Sequence, residues 1–121
     1  MENHPEEFAF LVAQAGPLNG QRWPIQSELV VGRETTCDII VADRQVSRRH
    51  ARFFPHLDGI AVEDLGSKNG TLLNGKPLSQ LAALNDGDLI QVAFAQQFIF
   101  LSSDATLPLK EIAQATPAPP P

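Results

Sequence analysis

Short stretches of β-forming residues, separated by tight-turn signals, dominate this chain of 121 residues. Asn-Gly pairs stand at positions 19–20, 69–70 and 74–75, and an Asp-Gly pair stands at 86–87. Asn, Asp and Gly tolerate the positive φ angles that tight hairpin turns require. Aromatic and β-branched residues fill the stretches between the turns, a pattern typical of an all-β sandwich or barrel. The chain is therefore predicted to be all-β.

Alternation of apolar side chains indicates which faces of the strands are buried. The opposite faces are not fully polar, and a two-sheet sandwich with partly covered outer faces accommodates this. The predicted core-facing sets are Phe8, Phe10 and Val12, then Ile90, Val92 and Phe94, then Phe98 and Phe100. The predicted strands are Phe8–Gln14, Arg22–Ile25, Leu29–Arg33, Ile39–Val41, Ala51–Phe54, Ile60–Asp64, Thr71–Leu73, Asp88–Val92 and Gln97–Leu101.

Length and composition fit one globular domain, with 43% hydrophobic and 19% charged residues. No apolar run approaches the ~20 residues that span a bilayer, and the N-terminus is acidic rather than signal-like. The lone cysteine, Cys37, forms no internal disulfide and is predicted to be a small core residue. We therefore expect a cytoplasmic protein without membrane partners.

The two ends of the chain differ in composition from the middle. Residues 1–7 are predicted to be a disordered tail, residues 8–102 the folded domain, and residues 103–121 a tail or Pro-rich linker. Within that linker, "LPLKEIAQA" at 107–115 carries one weak apolar stripe that predicts a short helix. The final "ATPAPPP" favours extended polyproline.

Positive charge is concentrated locally although the formal net charge is −5. Six of the nine Lys and Arg residues lie between Arg33 and Lys68, and "VSRRHARFF" at 46–54 holds three of them beside a serine and a histidine. Four interpretations compete: a nucleic-acid patch, a Ser-His catalytic site, a metal site, or a pocket for one anion. The acidic net charge argues against generic nucleic-acid binding, which depends on neutralising many phosphates.

The sequence also shows no motif typical of a catalytic site and no histidine spacing typical of a metal site. The chain has no G-x-S-x-G elbow and no evident oxyanion loop beside the Ser47-x-x-His50 pair. His4, His50 and His56 lack ligand spacing. We therefore predict no enzymatic activity, no metal and no cofactor.

Five motifs in register resemble the forkhead-associated (FHA) domain, a module that binds phosphothreonine peptides. They are Gly32-Arg33, Ser47-x-x-His50, Asn69-Gly70-Thr71, Asn74-Gly75 and Gly87-Asp88, within a match of about 8–101. The resemblance implies a twisted sandwich of two antiparallel sheets with recognition loops at one end. It also implies a binding module in Ser/Thr kinase signalling, whose partners are phosphothreonine-containing proteins.

The resemblance assigns Arg33, Ser47 and Arg48 to phosphate contact. Such chemistry suits a phosphate monoester, which carries about −1.5 to −2 charge and three acceptor oxygens. A guanidinium donates two parallel hydrogen bonds, and Gly32 before Arg33 allows close backbone approach. Lys68 stands where the family often has Ser or Thr, and we assign it to the phosphate as well.

The resemblance assigns Asn69 to the ligand backbone, and a primary amide, which both donates and accepts hydrogen bonds, suits that role. The resemblance makes His50 a structural tie between the loops. Gly70, Thr71, Asn74 and Gly75 complete the structural motif. On local sequence alone, Ser47 and Asn69 could serve only as turn residues. Arg49 and Arg52 receive no specific role.

The main alternative is an FHA module that assembles with partners or copies of itself independently of phosphate. Nucleic-acid binding is a weaker alternative. A further hypothesis is self-recognition, in which phosphorylated Thr106 or Thr116 occupies the pocket of its own or another chain. Leu109 lies three residues after Thr106, at the position that often sets specificity in the family.

Overall fold

The computed structural model describes residues 8–102, which form eleven strands and, within that range, no helix. The predicted tails, the helix at 107–115, Thr106 and Thr116 lie outside the described residues. No helix in the described range is long and apolar enough to cross a membrane. The strands are β1 (Ala9–Ala15), β2 (Arg22–Ile25), β3 (Leu29–Gly32), β4 (Ile39–Ile40), β5 (Ala51–His56), β6 (Gly59–Asp64), β7 (Thr71–Leu73), β8 (Lys76–Pro77), β9 (Ala82–Ala83), β10 (Leu89–Val92) and β11 (Gln96–Leu101).

The strands form two sheets, so the all-β sandwich prediction is confirmed. One sheet has six antiparallel strands in the order β2-β1-β11-β10-β7-β8. The other has five strands in the order β4-β3-β5-β6-β9, and its β3–β4 pair is parallel. The two-residue strands β8 (Lys76–Pro77) and β9 (Ala82–Ala83) were not predicted, because unlike β4 they contain no β-branched or aromatic residue.

The core lies between the sheets and is built on aromatic packing. Phe98 of the six-stranded sheet meets Phe53 of the five-stranded sheet edge to face, with ring centroids 6.2 Å apart. Trp23 packs against the same Phe98 ring at 5.8 Å. Cys37 is buried, as predicted. The predicted burial of Ile90, Val92, Phe98 and Phe100 is also confirmed.

Two predictions of core-facing residues are wrong. In β1 the buried side chains are Leu11 and Ala13, whereas Phe8 is 38% exposed and Phe10 and Val12 lie on the outer face. Both faces of β1 are apolar, so alternation by itself did not identify the inner one.

Phe94 is the second error, since it is 73% exposed and its neighbour Ala93 is buried instead. Ala93 has φ +53°, a left-handed conformation that begins the turn between β10 and β11. The strand therefore ends at Val92, and the alternation that predicted a buried Phe94 does not extend past it.

Strand directions place three loops together at what we call the upper end of the sandwich. These are the β3–β4 loop (33–38), the β4–β5 loop (41–50) and the β6–β7 loop (65–70). The β10–β11 turn joins them, because the amide of Ala93 donates to the carbonyl oxygen of Gly70 at 3.0 Å. The start of β1, the end of β11 and the β5–β6 turn lie at the opposite, lower end.

Candidate functional site

The backbone of the β3–β4 loop is tied directly to the β4–β5 loop. The amide of Arg33 donates to the carbonyl oxygen of Ser47 at 3.0 Å, and the amide of Glu34 donates to that of Arg48 at 3.2 Å. Gly32 makes this approach possible, because a Cβ at position 32 would overlap the carbonyl oxygen of Arg48 and meet Sγ of Cys37 at 2.9 Å. The glycine before Arg33 is thus required by packing between the loops.

The Arg33 side chain is exposed but held in one orientation. Its Nε donates to the carbonyl oxygen of Val46 at 2.9 Å. Within residues 8–102 no carboxylate forms an ion pair with it. Among these residues, nothing else accepts a hydrogen bond from its two terminal Nη groups. A guanidinium fork of this kind suits two oxygens of a phosphate.

Ser47 connects the β4–β5 loop to the β6–β7 loop. Its Oγ accepts a hydrogen bond from the amide of Lys68 at 3.0 Å. A hydroxyl that accepts in this way still has its own proton to donate. Ser47 is therefore a half-buried O–H donor fixed between the backbones that carry Arg33 and Lys68.

Asn69 is exposed and its amide is already partly engaged. Nδ2 donates one hydrogen bond to the carbonyl oxygen of Gln45 at 2.8 Å. The second N–H and the side-chain carbonyl oxygen stay available, so the amide can still donate to and accept from one peptide group. Gln45 was not predicted, since a contact through its backbone oxygen has no side-chain signature.

His50 is fully buried and bridges two loops. Its Nδ1 accepts from the amide of Ser47 at 3.1 Å, and its Nε2 binds the carbonyl oxygen of Gly70 at 2.7 Å. Only the neutral ring protonated at Nε2 satisfies both partners. Burial lowers the pKa of His50, although the Gly70 hydrogen bond opposes that effect. The arrangement is that of a scaffold residue rather than a general base.

Asp64 organises the β6–β7 loop and was missed in the sequence. Its Oδ2 accepts from the amides of Gly66 and Ser67, and its Oδ1 accepts from the hydroxyls of Ser67 (2.6 Å) and Thr71 (2.7 Å). Burial raises the pKa of Asp64, but these hydrogen bonds outweigh it and hold the pKa below its usual value. The "DLGS" segment is an Asx turn, a signal that could have identified Asp64.

Two members of the predicted structural motif lie away from this cluster. Asn74 and Gly75 form the β7–β8 turn with φ +50° and +85°, at the lower end. The side chain of Asn74 donates to Asp88 at 3.0 Å and accepts from the amide of Leu89 at 2.9 Å. They stabilise the hairpin and do not reach the upper loops.

Three cationic side chains at the upper end have no ion-pair partner within the described part of the chain. Arg33, Arg48 and Lys68 are exposed and form no ion pair with any carboxylate of residues 8–102. By contrast, Arg52 lies on the five-stranded sheet and pairs with both Glu28 and Glu63 at 2.8 Å. No group of three or more His, Cys, Asp or Glu side chains that could hold a metal occurs in residues 8–102.

Fold and loops together define a class: a β-sandwich domain that presents cationic, hydroxyl and amide side chains from three loops at one end. The family model of the FHA domain matches residues 29–93. The chain belongs to the FHA domain family, as the sequence motifs predicted.

Relatives of known name fall in the same family. The oxoglutarate dehydrogenase inhibitor of Corynebacterium jeikeium (strain K411) is 41% identical over 93 residues, which cover 76% of this chain and 64% of that protein. The glycogen accumulation regulator GarA of Mycobacterium tuberculosis (strain CDC 1551 / Oshkosh) is 38% identical over 93 residues, 76% of this chain and 57% of GarA. The chain thus spans less than two thirds of the length of these relatives.

A solved structure of Mycobacterium tuberculosis EmbR in complex with a low affinity phosphopeptide has the same fold. It superposes with a TM-score of 0.71 at 29% identity, covering 78% of this chain and 24% of EmbR.

Proposed function

We propose that the upper end of this domain binds phosphothreonine peptides and that the protein acts by binding rather than by catalysis. One observation carries the proposal: Arg33, anchored through Nε to Val46 and through its amide to the carbonyl oxygen of Ser47, forms no ion pair with a carboxylate of residues 8–102, and the Ser47 hydroxyl is fixed by the amide of Lys68. A dianionic phosphate monoester needs this combination of permanent charge and convergent donors.

The remaining roles follow from the same geometry. Arg48 and Lys68 add positive charge, and neither forms an ion pair with a carboxylate of residues 8–102. Asn69 holds the peptide backbone through its remaining N–H and its carbonyl oxygen. His50, Gly70 and the carboxylate of Asp64 keep these side chains in place.

The biological role we propose is regulation of a phosphorylated partner in Ser/Thr kinase signalling. The names of the relatives, an inhibitor and a regulator, support a regulatory protein. Because Ser/Thr kinases act on proteins inside the cell, we place this function in the cytoplasm.

The test is a titration of the 121-residue protein with matched phosphothreonine and threonine peptides by fluorescence anisotropy. Charge-assisted hydrogen bonds contribute about 1.5–3 kcal/mol each, so Arg33→Ala should weaken phosphopeptide binding about ten- to a hundredfold. Arg22→Ala removes the same charge from β2 and should change the affinity little. Equal affinity for both peptides would contradict the proposal and favour a phosphate-independent module.

A further inference from the structure

A cavity of about 320 Å³ lies at the lower end of the sandwich, away from the proposed phosphate site. It opens between the start of β1, the end of β2, the β5–β6 hairpin and the end of β11. Its apolar lining comes from Phe8, Ile25, Ile60, Leu84 and Phe100.

The size and lining of this cavity suit aliphatic side chains. An apolar cavity of about 150 Å³ already holds a benzene-sized molecule, so this one has room for at least one branched side chain. Burying such a side chain against apolar walls is favourable, by roughly 25 cal/mol for each Å² removed from water. An aliphatic occupant would therefore stabilise the folded domain.

The chain itself leaves the described structure at the rim of the cavity. Ser102 is one of the lining residues, and its amide is fixed by a hydrogen bond to Asp86 at 3.1 Å. Nineteen residues, 103–121, follow it. Five residues of extended chain span up to about 17 Å, so a residue as near as Leu107 can fold back to its entrance.

Of the two segments that flank residues 8–102, the C-terminal one has the right chemistry. It carries Leu107, Leu109 and Ile112, whereas residues 1–7 hold three glutamates and Met1 as their one large apolar residue. The rim also carries the exposed carboxylate of Asp58. That charge repels the three glutamates of residues 1–7, which no Lys or Arg offsets, more than the C-terminal segment, in which Lys110 stands between Asp104 and Glu111.

We propose that this cavity is a docking site for the chain's own C-terminal segment, with Leu107 and Leu109 inserted between the sheets and Lys110 beside Asp58. The segment is then bound at the lower end of the sandwich, opposite the proposed phosphate site. Ligand binding at the upper end leaves it in place.

The test is methyl NMR on the full chain with labelled Leu and Ile side chains. We expect NOEs from the methyl groups of Leu107 and Leu109 to those of Ile25, Ile60 and Leu84. The double variant Leu107→Ser/Leu109→Ser should shift the Ile60 and Leu84 signals and lower the thermal midpoint. Ala115→Ser alters the same segment beyond its large aliphatic residues and should change neither.

Two outcomes would overturn this assignment. One is the absence of these NOEs together with an unchanged thermal midpoint in the double variant. The other is NOEs that appear only between labelled and unlabelled chains in a mixed sample, which would assign the cavity to a second copy. Phosphopeptide affinity of the double variant should equal that of the parent chain, so the test is separate from that of the phosphate site.

Discussion

The amide of Ser47 and the imidazole of His50 are joined by a 3.1 Å hydrogen bond in which the ring nitrogen Nδ1 is the acceptor. The ring therefore supports the residue assigned to the phosphate, and it does so only while Nδ1 has no proton. Protonation would place two donors face to face inside a fully buried site. The loop that carries Ser47 is thus coupled to the charge state of a fully buried residue behind it.

Stability should consequently fall as the pH drops below about 6.5, the ordinary pKa of histidine. Burial lowers the pKa of His50 in the folded state. Just below pH 6.5 the histidine is therefore protonated in the unfolded chain but still neutral in the folded chain, and this difference favours unfolding. The stabilisation that comes from the neutral His50 ring is complete above pH 6.5 and is lost as the pH falls through the folded-state pKa. Asp64, whose pKa is also lowered, adds a further loss below about 3.9.

Urea unfolding midpoints measured from pH 8 to pH 5 check this prediction. His56→Gln should keep the pH dependence of the parent chain, whereas His50→Gln should flatten it. Should His50→Gln fail to fold, NMR titration of the His50 ring in the parent chain gives the answer directly. A folded-state pKa above 6.5 would refute the prediction.

Replacing Asp64 by Asn should destabilise the domain by about 1–3 kcal/mol and weaken phosphopeptide binding without touching the ligand. An amide supplies one acceptor oxygen where the carboxylate has two, so its NH₂ must face donors of Ser67, Gly66 or Thr71. Chemical denaturation and peptide titration measure the two effects. Glu63→Gln, which removes the negative charge from the neighbouring half-buried pair with Arg52, should cost at most about 1 kcal/mol because that pair is still partly solvated.

Gly32→Ala should disturb the site through packing between the loops. The added methyl group meets the carbonyl oxygen of Arg48 and the Cys37 sulfur, so the loops must separate, at a cost of about 1–3 kcal/mol. Phosphopeptide affinity should fall with stability. Gly59→Ala is the matched control, since a Cβ there meets nothing within 4 Å. Equal unfolding midpoints for the two variants would show that the approach at Gly32 is not required.

Alternation and turn chemistry predicted the positions of the strands in the sequence correctly. They were less reliable in predicting which face of each strand is buried. Each of the nine predicted strands overlaps an observed one, because Gly, Asn and Asp mark turns by their tolerance of positive φ. The inner face of β1 was misassigned because Phe10 and Val12 are as apolar as Leu11. The sheet that covers each face is set by contacts distant in sequence.

Side chains of the site were predicted more readily than the contacts that hold them. Arg33, Ser47 and Asn69 occur in recognisable motifs, and the structure brings their loops together at the upper end. The carbonyl oxygens of Val46 and Gln45 that fix Arg33 and Asn69 are backbone atoms, present at every residue. A sequence pattern therefore cannot single them out.

A phosphorylated Thr106 should be unable to reach the upper loops of its own chain. The chain leaves residues 8–102 at the lower end, and the six residues of β11 alone cover about 20 Å of the distance to the upper loops. Thr106 lies four residues after Ser102, a reach of at most about 14 Å. Thr116, fourteen residues after Ser102, has a reach of about 48 Å and is not limited in this way.

In chains phosphorylated at Thr106 alone, any chemical-shift change near Arg33 and Ser47 should therefore grow with protein concentration. Thr116→Ala keeps the second threonine from contributing, and Arg33→Ala removes the pocket as a control. Changes of constant size on dilution into the low micromolar range would mean that Thr106 reaches the pocket of its own chain. That result would contradict the path of β11 toward the lower end.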